Sequence, residues 1–128
     1  CASHPSQIYE RRLRLESVPN AIEQAKVAGV NMAGGNAVYD AVPWFWSDQY
    51  DVKLLTVGVS EGADETMLRG DPSAKKFSVW YFQRGRLFAV DAVNDPAAFA
   101  TSKRLVGKSG LDVKKLADPD TDLKSLVS

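Results

Sequence analysis

The stretch KFSVWYFQRGRLFAVDAVN, residues 76 to 94, constrains the fold more than any other part of the chain. Two runs rich in aromatic and β-branched residues, 76–83 and 86–94, are separated only by Arg84 and Gly85. Runs of that kind joined by two residues form a β-hairpin, because the strands twist too strongly for other short turns. Both runs are apolar on both faces. The hairpin is therefore expected at the centre of an antiparallel sheet covered on each side. Residues 52–59 offer another strand. Residues 65–70 are shorter and more polar, which suits an edge, and Asp71-Pro72 marks the turn that follows.

Helices are announced by their ends. Ser17 is a capping side chain, Pro19 is tolerated in a first turn, and Gly34-Gly35 closes the segment. Between them Val18, Ala21, Ile22, Ala25, Ala28, Gly29 and Met32 recur on one helical face. That face of small residues is expected to be buried against a close neighbour. Asn94-Asp95-Pro96 opens a second helix, expected to run to about Val106 and stop at Gly107, with Phe99, Ser102, Lys103 and Val106 on one face. The tail offers one or two short helices broken at Asp118-Pro119. Residues 1–16 show no steady period, and residues 36–51 read as a linker holding Trp44, Phe45 and Trp46.

Bulk properties remove several function classes. The chain has 128 residues, enough for one domain with a modest core, and zero formal net charge, so nothing points to nucleic acid or an anionic membrane. No apolar run approaches the ~20 residues needed to span a bilayer. Residues 1–15 are polar and carry three arginines, unlike a signal peptide. Cys1 is the one cysteine, which fits a reducing cytoplasm and excludes an internal disulfide or a CxxC site. There is no phosphate-binding glycine motif; the glycines of AGGNA follow a helix instead of opening one. His4 has no partner for a metal site or a catalytic triad and reads as a loop residue. Asp91, inside an apolar strand, reads as a hydrogen-bonded core or edge carboxylate. Residues 103–128 hold six basic against four acidic side chains, either a solvated face or a docking patch for an acidic partner.

Two features remain. The rings of Trp44 and Trp46, beside Pro43 and a polar run, suit a cover over another domain or a flat ligand. The start of the 17–34 helix offers free backbone N–H groups and a partial positive charge, and Val18 carries one of those donors.

The segments RLESVPNAIEQAKVAGVNMAGG, YDAVPWFWSDQYDVKL and LRGDPSAKKFSVWYFQRGRLFAVDAVNDPAAF, taken in order, resemble the C-terminal region of FAD-dependent ferredoxin reductases. These are the enzymes of the putidaredoxin, rubredoxin and biphenyl dioxygenase reductase group, related to apoptosis-inducing factor. The resemblance implies an α+β fold: an antiparallel sheet with flanking helices, preceded by a helical remnant of an FAD-binding domain. It implies that the chain is the end of a longer enzyme. Residues 1–42 would be the remnant and residues 43–128 the reductase C-terminal domain. It also implies that the backbone of Val18 meets the pyrimidine end of FAD and that the ring of Trp46 lies against the isoalloxazine. No His follows His4, so the acid–base pair of the related disulfide reductases has no counterpart.

The expected activity is electron transfer from NAD(P)H through FAD to a ferredoxin-type iron–sulfur protein serving an oxygenase. The segment itself would supply no catalytic residue and no metal ligand, and alone it would be inactive and bind no FAD. Lys26, Lys103 and Lys124 are docking candidates for an acidic partner. The alternative is a non-catalytic protein-binding or dimerisation module. With its companion domain absent, the apolar face of the first helix is expected to drive self-association.

Overall fold

The computed structural model describes residues 1–127. The chain divides into two compact units, Cys1–Phe45 and Trp46–Ser128.

The first unit opens with a two-stranded antiparallel hairpin, β1 (His4–Ser6) and β2 (Arg11–Leu13). Sequence periodicity missed it because strands of three residues are too short to show a period. Helix α1 (Val18–Met32) follows. The Ser17 hydroxyl accepts from the Asn20 amide (3.4 Å), and Pro19 occupies the first turn. At the other end Gly34 N–H donates to the Asn31 carbonyl (3.1 Å) and Gly35 N–H to the Val30 carbonyl (2.9 Å). This paired closure needs a left-handed residue, and Gly34 has φ 88°.

Within this chain the apolar face of α1 is the exposed one, as expected for a helix whose companion domain is absent. Val18, Ala21, Ile22, Ala25, Ala28, Gly29 and Met32 are all exposed; the buried residues are Pro19 and Asn20. The polar face is turned inward because it is tied there. The Asn20 side-chain amide donates to the Leu15 carbonyl (2.9 Å), and its Oδ1 accepts from the Tyr39 hydroxyl (2.7 Å). Gln24 exchanges two hydrogen bonds with the backbone of Ala2 (2.9 and 3.0 Å). His4 is therefore not a loop residue. It lies in β1, buried, edge-on to the Tyr39 ring with centroids 4.6 Å apart.

The second unit is built on a five-stranded antiparallel sheet in the order β3-β4-β7-β6-β5. The strands are β3 (Trp44–Gln49), β4 (Val52–Gly58), β5 (Glu65–Asp71), β6 (Lys76–Gln83) and β7 (Arg86–Val93). The β6–β7 hairpin turns at Arg84 (φ 49°) and Gly85 (φ 73°), the left-handed pair that strand twist demands. β7 is central and β5 an edge, as the sequence predicts. The presumed linker 36–51 instead contributes the opposite edge strand, β3.

Val57, Val90 and Trp80 form one fully buried row across β4, β7 and β6. The Trp80 indole N–H is satisfied by the Ser78 hydroxyl (2.9 Å). Helix α2 (Pro96–Leu105) packs on β7 and β4, and α3 (Val113–Ala117) on β5. A 3-10 turn, η1 (Leu123–Leu126), contacts α2. The Asp95 carboxylate caps α2 by accepting from the Ala98 amide (3.0 Å). The buried face of α2 is Ala98, Thr101, Ser102 and Leu105, rotated from the predicted face, so Phe99 and Lys103 sit on its flank. The other sheet face is only half-buried at Phe77, Val79, Tyr81 and Val93, so the hairpin is fully covered on one side.

Candidate functional site

The residues with chemical potential fall in separate places, each positioned by its own local structure. Val18 is the first residue of α1 and is 59% exposed. A helix cannot supply an acceptor to its own first-turn amides, so this donor faces outward at the positive end of the helix dipole. The hydrogen bonds of Asn20 and Gln24 tie the helix to Leu15, Tyr39, Ala2 and His4 of β1. Tyr39 belongs to the same network, and burial, with the nearby Glu23 carboxylate, raises its phenol above the ordinary value. An open groove of about 470 Å³ runs along this unit, lined by His4, Ala21, Gln24, Ala25, Ala28 and Tyr39 among others.

Trp46 lies on edge strand β3 and is 43% exposed; Phe45 is exposed to a similar degree and Trp44 is half-buried. An edge strand explains the bunching of rings that a central strand would spread out. It has one neighbour only, so adjacent large side chains can point outward without displacing a core.

On the half-buried face of the sheet, Asp91 accepts from the Thr56 hydroxyl at Oδ1 (2.7 Å) and from the Tyr81 hydroxyl at Oδ2 (2.9 Å). Three strands contribute one residue each, Thr56 directly across from Asp91 and Tyr81 diagonally. Burial, then the hydrogen bond to Asp91, pushes the Tyr81 phenol up to about 12. The carboxylate is thus hydrogen-bonded within the sheet, as expected, and its partners hold neutral protons at physiological pH.

The three docking candidates differ in setting. Lys26 is exposed and paired with Glu23 (2.7 Å) one helical turn away. Lys103 lies over the Phe99 ring, 4.4 Å from its centroid, and partial burial lowers its pKa. Lys124 is exposed on η1. Because η1 contacts α2, Lys103 and Lys124 are on neighbouring elements, while Lys26 belongs to the first unit.

Sequence reasoning missed the role of two residues, the bridging side chain of Asn94 and the buried guanidinium of Arg69. Asn94, with φ 50°, receives the Lys53 amide at Oδ1 (2.9 Å) and donates through Nδ2 to the carbonyls of Asp51 (3.2 Å) and Lys75 (2.9 Å). It joins two turns and two strand ends. Arg69 on β5 is 8% exposed. Its guanidinium donates to the carbonyls of Leu116 (2.9 Å), Asp118, Pro119 (3.1 Å) and Thr121 (2.8 Å). Asp118 shapes the same turn. Hydrogen bonds from the Thr121 hydroxyl and the Asp120 amide hold its carboxyl below the usual range, and Arg69 adds a smaller pull.

Among the described residues no helix is long and apolar enough to cross a membrane. No group of three or more His, Cys, Asp or Glu side chains placed to hold a metal ion occurs among them.

A family model described as "Reductase C-terminal" matches residues 44–127. The ferredoxin reductase subunit of a 5,5'-dehydrodivanillate O-demethylase from Sphingobium sp. is 45% identical over 100% of this chain and 32% of that protein. The putidaredoxin reductase of Pseudomonas putida is 42% identical over 100% of this chain and 31% of its own length. A crystal structure of a covalent putidaredoxin reductase–putidaredoxin complex superposes with a TM-score of 0.91 at 42% identity, covering 99% of this chain and 31% of that one. The chain spans about a third of the length of the curated relatives it matches.

Proposed function

Because this chain belongs to the Reductase C-terminal family, we propose that it is the closing portion of an FAD-dependent ferredoxin–NAD(P)+ reductase. The parent would pass electrons from NAD(P)H to an iron–sulfur ferredoxin serving an oxygenase. The observation that carries this reading is the unbroken similarity through both units to ferredoxin reductases at 42 to 45% identity. On it, residues 1–42 are the last part of an FAD-binding domain and 43–128 are the C-terminal domain. The single exposed Cys1 suits a cytoplasmic setting.

Val18 and Trp46, each taken within its own unit, have the chemistry to contact a flavin. Bound FAD supplies hydride acceptance and the release of electrons one at a time. The Val18 amide, at the positive end of α1, offers a donor to an electron-rich edge. The ring of Trp46 offers a flat apolar cover that excludes water. No glycine loop for the phosphates lies in this chain, so the chain alone would neither retain FAD nor turn over. Lys26, Lys103 and Lys124 would contribute to docking an acidic ferredoxin. The exposed stripe of α1 would be covered in the longer protein; in this chain alone it favours association with a second copy.

The test is Trp46→Ala in the intact reductase, with both half-reactions followed by stopped flow. Transfer to ferredoxin should slow by about tenfold, equivalent to roughly 1.4 kcal/mol of barrier. Hydride transfer from the nicotinamide should change by less than about twofold. Unchanged rates, or equal losses in both steps, would remove Trp46 from the flavin site.

A further inference from the structure

We propose that Arg69 is a positioning residue for partner docking. It anchors the C-terminal segment 112–127 to the sheet and so places Lys124, without touching the partner itself. This rests on the docking reading above.

Arg69 stands on β5, whose seven-residue ladder with β6 runs from Glu65 to Asp71 and ties it to the sheet. Its side chain points across the buried face to the C-terminal end of α3. The Leu116 and Asp118 carbonyls belong to the last turn and cap of that helix, where no further intrahelical donor exists. Pro119 and Thr121 lie in the turn leading to η1. One guanidinium thus collects four main-chain acceptors spread over six residues, from 116 to 121. Beyond them Leu116 and Leu123 are buried, and Lys124 follows directly.

The geometry calls for arginine. Its planar fork presents five donors in fixed directions, whereas a lysine ammonium donates from a single nitrogen and cannot span this arc. Because Arg69 is almost wholly buried, its influence on a partner has to pass through the segment it holds. Docking by surface charge depends on where those charges sit, since attraction between exposed groups fades within about 8–10 Å in physiological salt. A released 118–121 turn would leave Lys124 held only by the buried Leu123 beside it and the contact of η1 with α2.

The experiment uses the intact reductase carrying Arg69→Lys, and separately Lys124→Glu. Three quantities are read: KM for ferredoxin, the rate with ferricyanide as a small acceptor, and amide exchange across 112–127. Arg69→Lys should raise KM for ferredoxin roughly fivefold and speed exchange in 112–127. Flavin content and ferricyanide rate should stay at the wild-type level. Lys124→Glu should raise KM without altering exchange. The double variant should fall short of the product of the two effects, because an unanchored Lys124 has less left to lose.

Faster exchange with an unchanged KM, while Lys124→Glu does raise it, would reduce Arg69 to a structural role and overturn the proposal alone. If neither variant alters KM, the docking reading itself fails and the proposal falls with it. Should Arg69→Lys lose flavin, Thr121→Pro perturbs the same turn from the other side. It must raise KM in the same way, and failure to do so overturns the proposal.

Discussion

Replacing Tyr81 with phenylalanine deletes one hydroxyl and leaves the Asp91 carboxylate with Thr56 as its remaining side-chain donor. A hydrogen bond to a charged group contributes about 1.5–3 kcal/mol when buried, and this half-exposed one should contribute about 1 kcal/mol. The pH dependence is more diagnostic than the size. The Tyr81 phenol is pushed up to about 12 from an ordinary 10.0. Below pH 10 both folded and unfolded chains carry the proton and the contribution is fully present. Between about pH 10 and 12 the unfolded chain releases its proton while the folded chain keeps it, so stability falls as pH rises. Two units of pKa correspond to at most about 2.7 kcal/mol, and solvent screening reduces that to about 1 kcal/mol here. Urea unfolding of the wild type and Tyr81→Phe should therefore differ by about 1 kcal/mol near pH 8 and converge as pH approaches 12. Comparing the two proteins cancels the titration of the other tyrosines and the lysines. A gap that stays constant from about pH 8 to pH 11.5 would refute the reasoning.

Asn94→Ala should cost about 2 kcal/mol, since it removes three side-chain hydrogen bonds and places alanine at a positive φ. A urea midpoint within experimental error of wild type would show that the turns at Asp51 and Lys75 hold without it. For the 128-residue chain in isolation, light scattering should find dimers or larger species at high concentration. Ile22→Glu, in the middle of the exposed α1 stripe, should return them to monomers. A monomeric wild-type chain would show that the stripe is tolerated in water.

What the sequence by itself determined are features whose cause is local. The β6–β7 hairpin is legible because Arg84-Gly85 permits the left-handed turn and both flanks are apolar. The ends of α1 and α2 are legible because Ser17, Asp95 and Gly34 satisfy backbone groups a few bonds away. The run around Trp44, Phe45 and Trp46, together with the hairpin motif at 77–94 and the first helix, taken in order, pointed to the reductase family. The strand that carries that run was missed, because an edge strand is held by its neighbour more than by its own composition. Only the tertiary structure decided what the polar face of α1 packs against within this chain. Apolar periodicity marked Val18, Ile22 and Met32 as one stripe, exposed in this chain, but said nothing of the opposite face. That face turns Asn20 and Gln24 inward, because Leu15, Ala2 and Tyr39 supply their hydrogen bonds. Arg69 is the clearest case. In sequence it is one charged residue on a polar edge strand. Its four partners are main-chain carbonyls some fifty residues away. Every residue carries such a carbonyl, so no pattern of side chains announces where they will converge; only the folded path of the backbone brings them to one guanidinium.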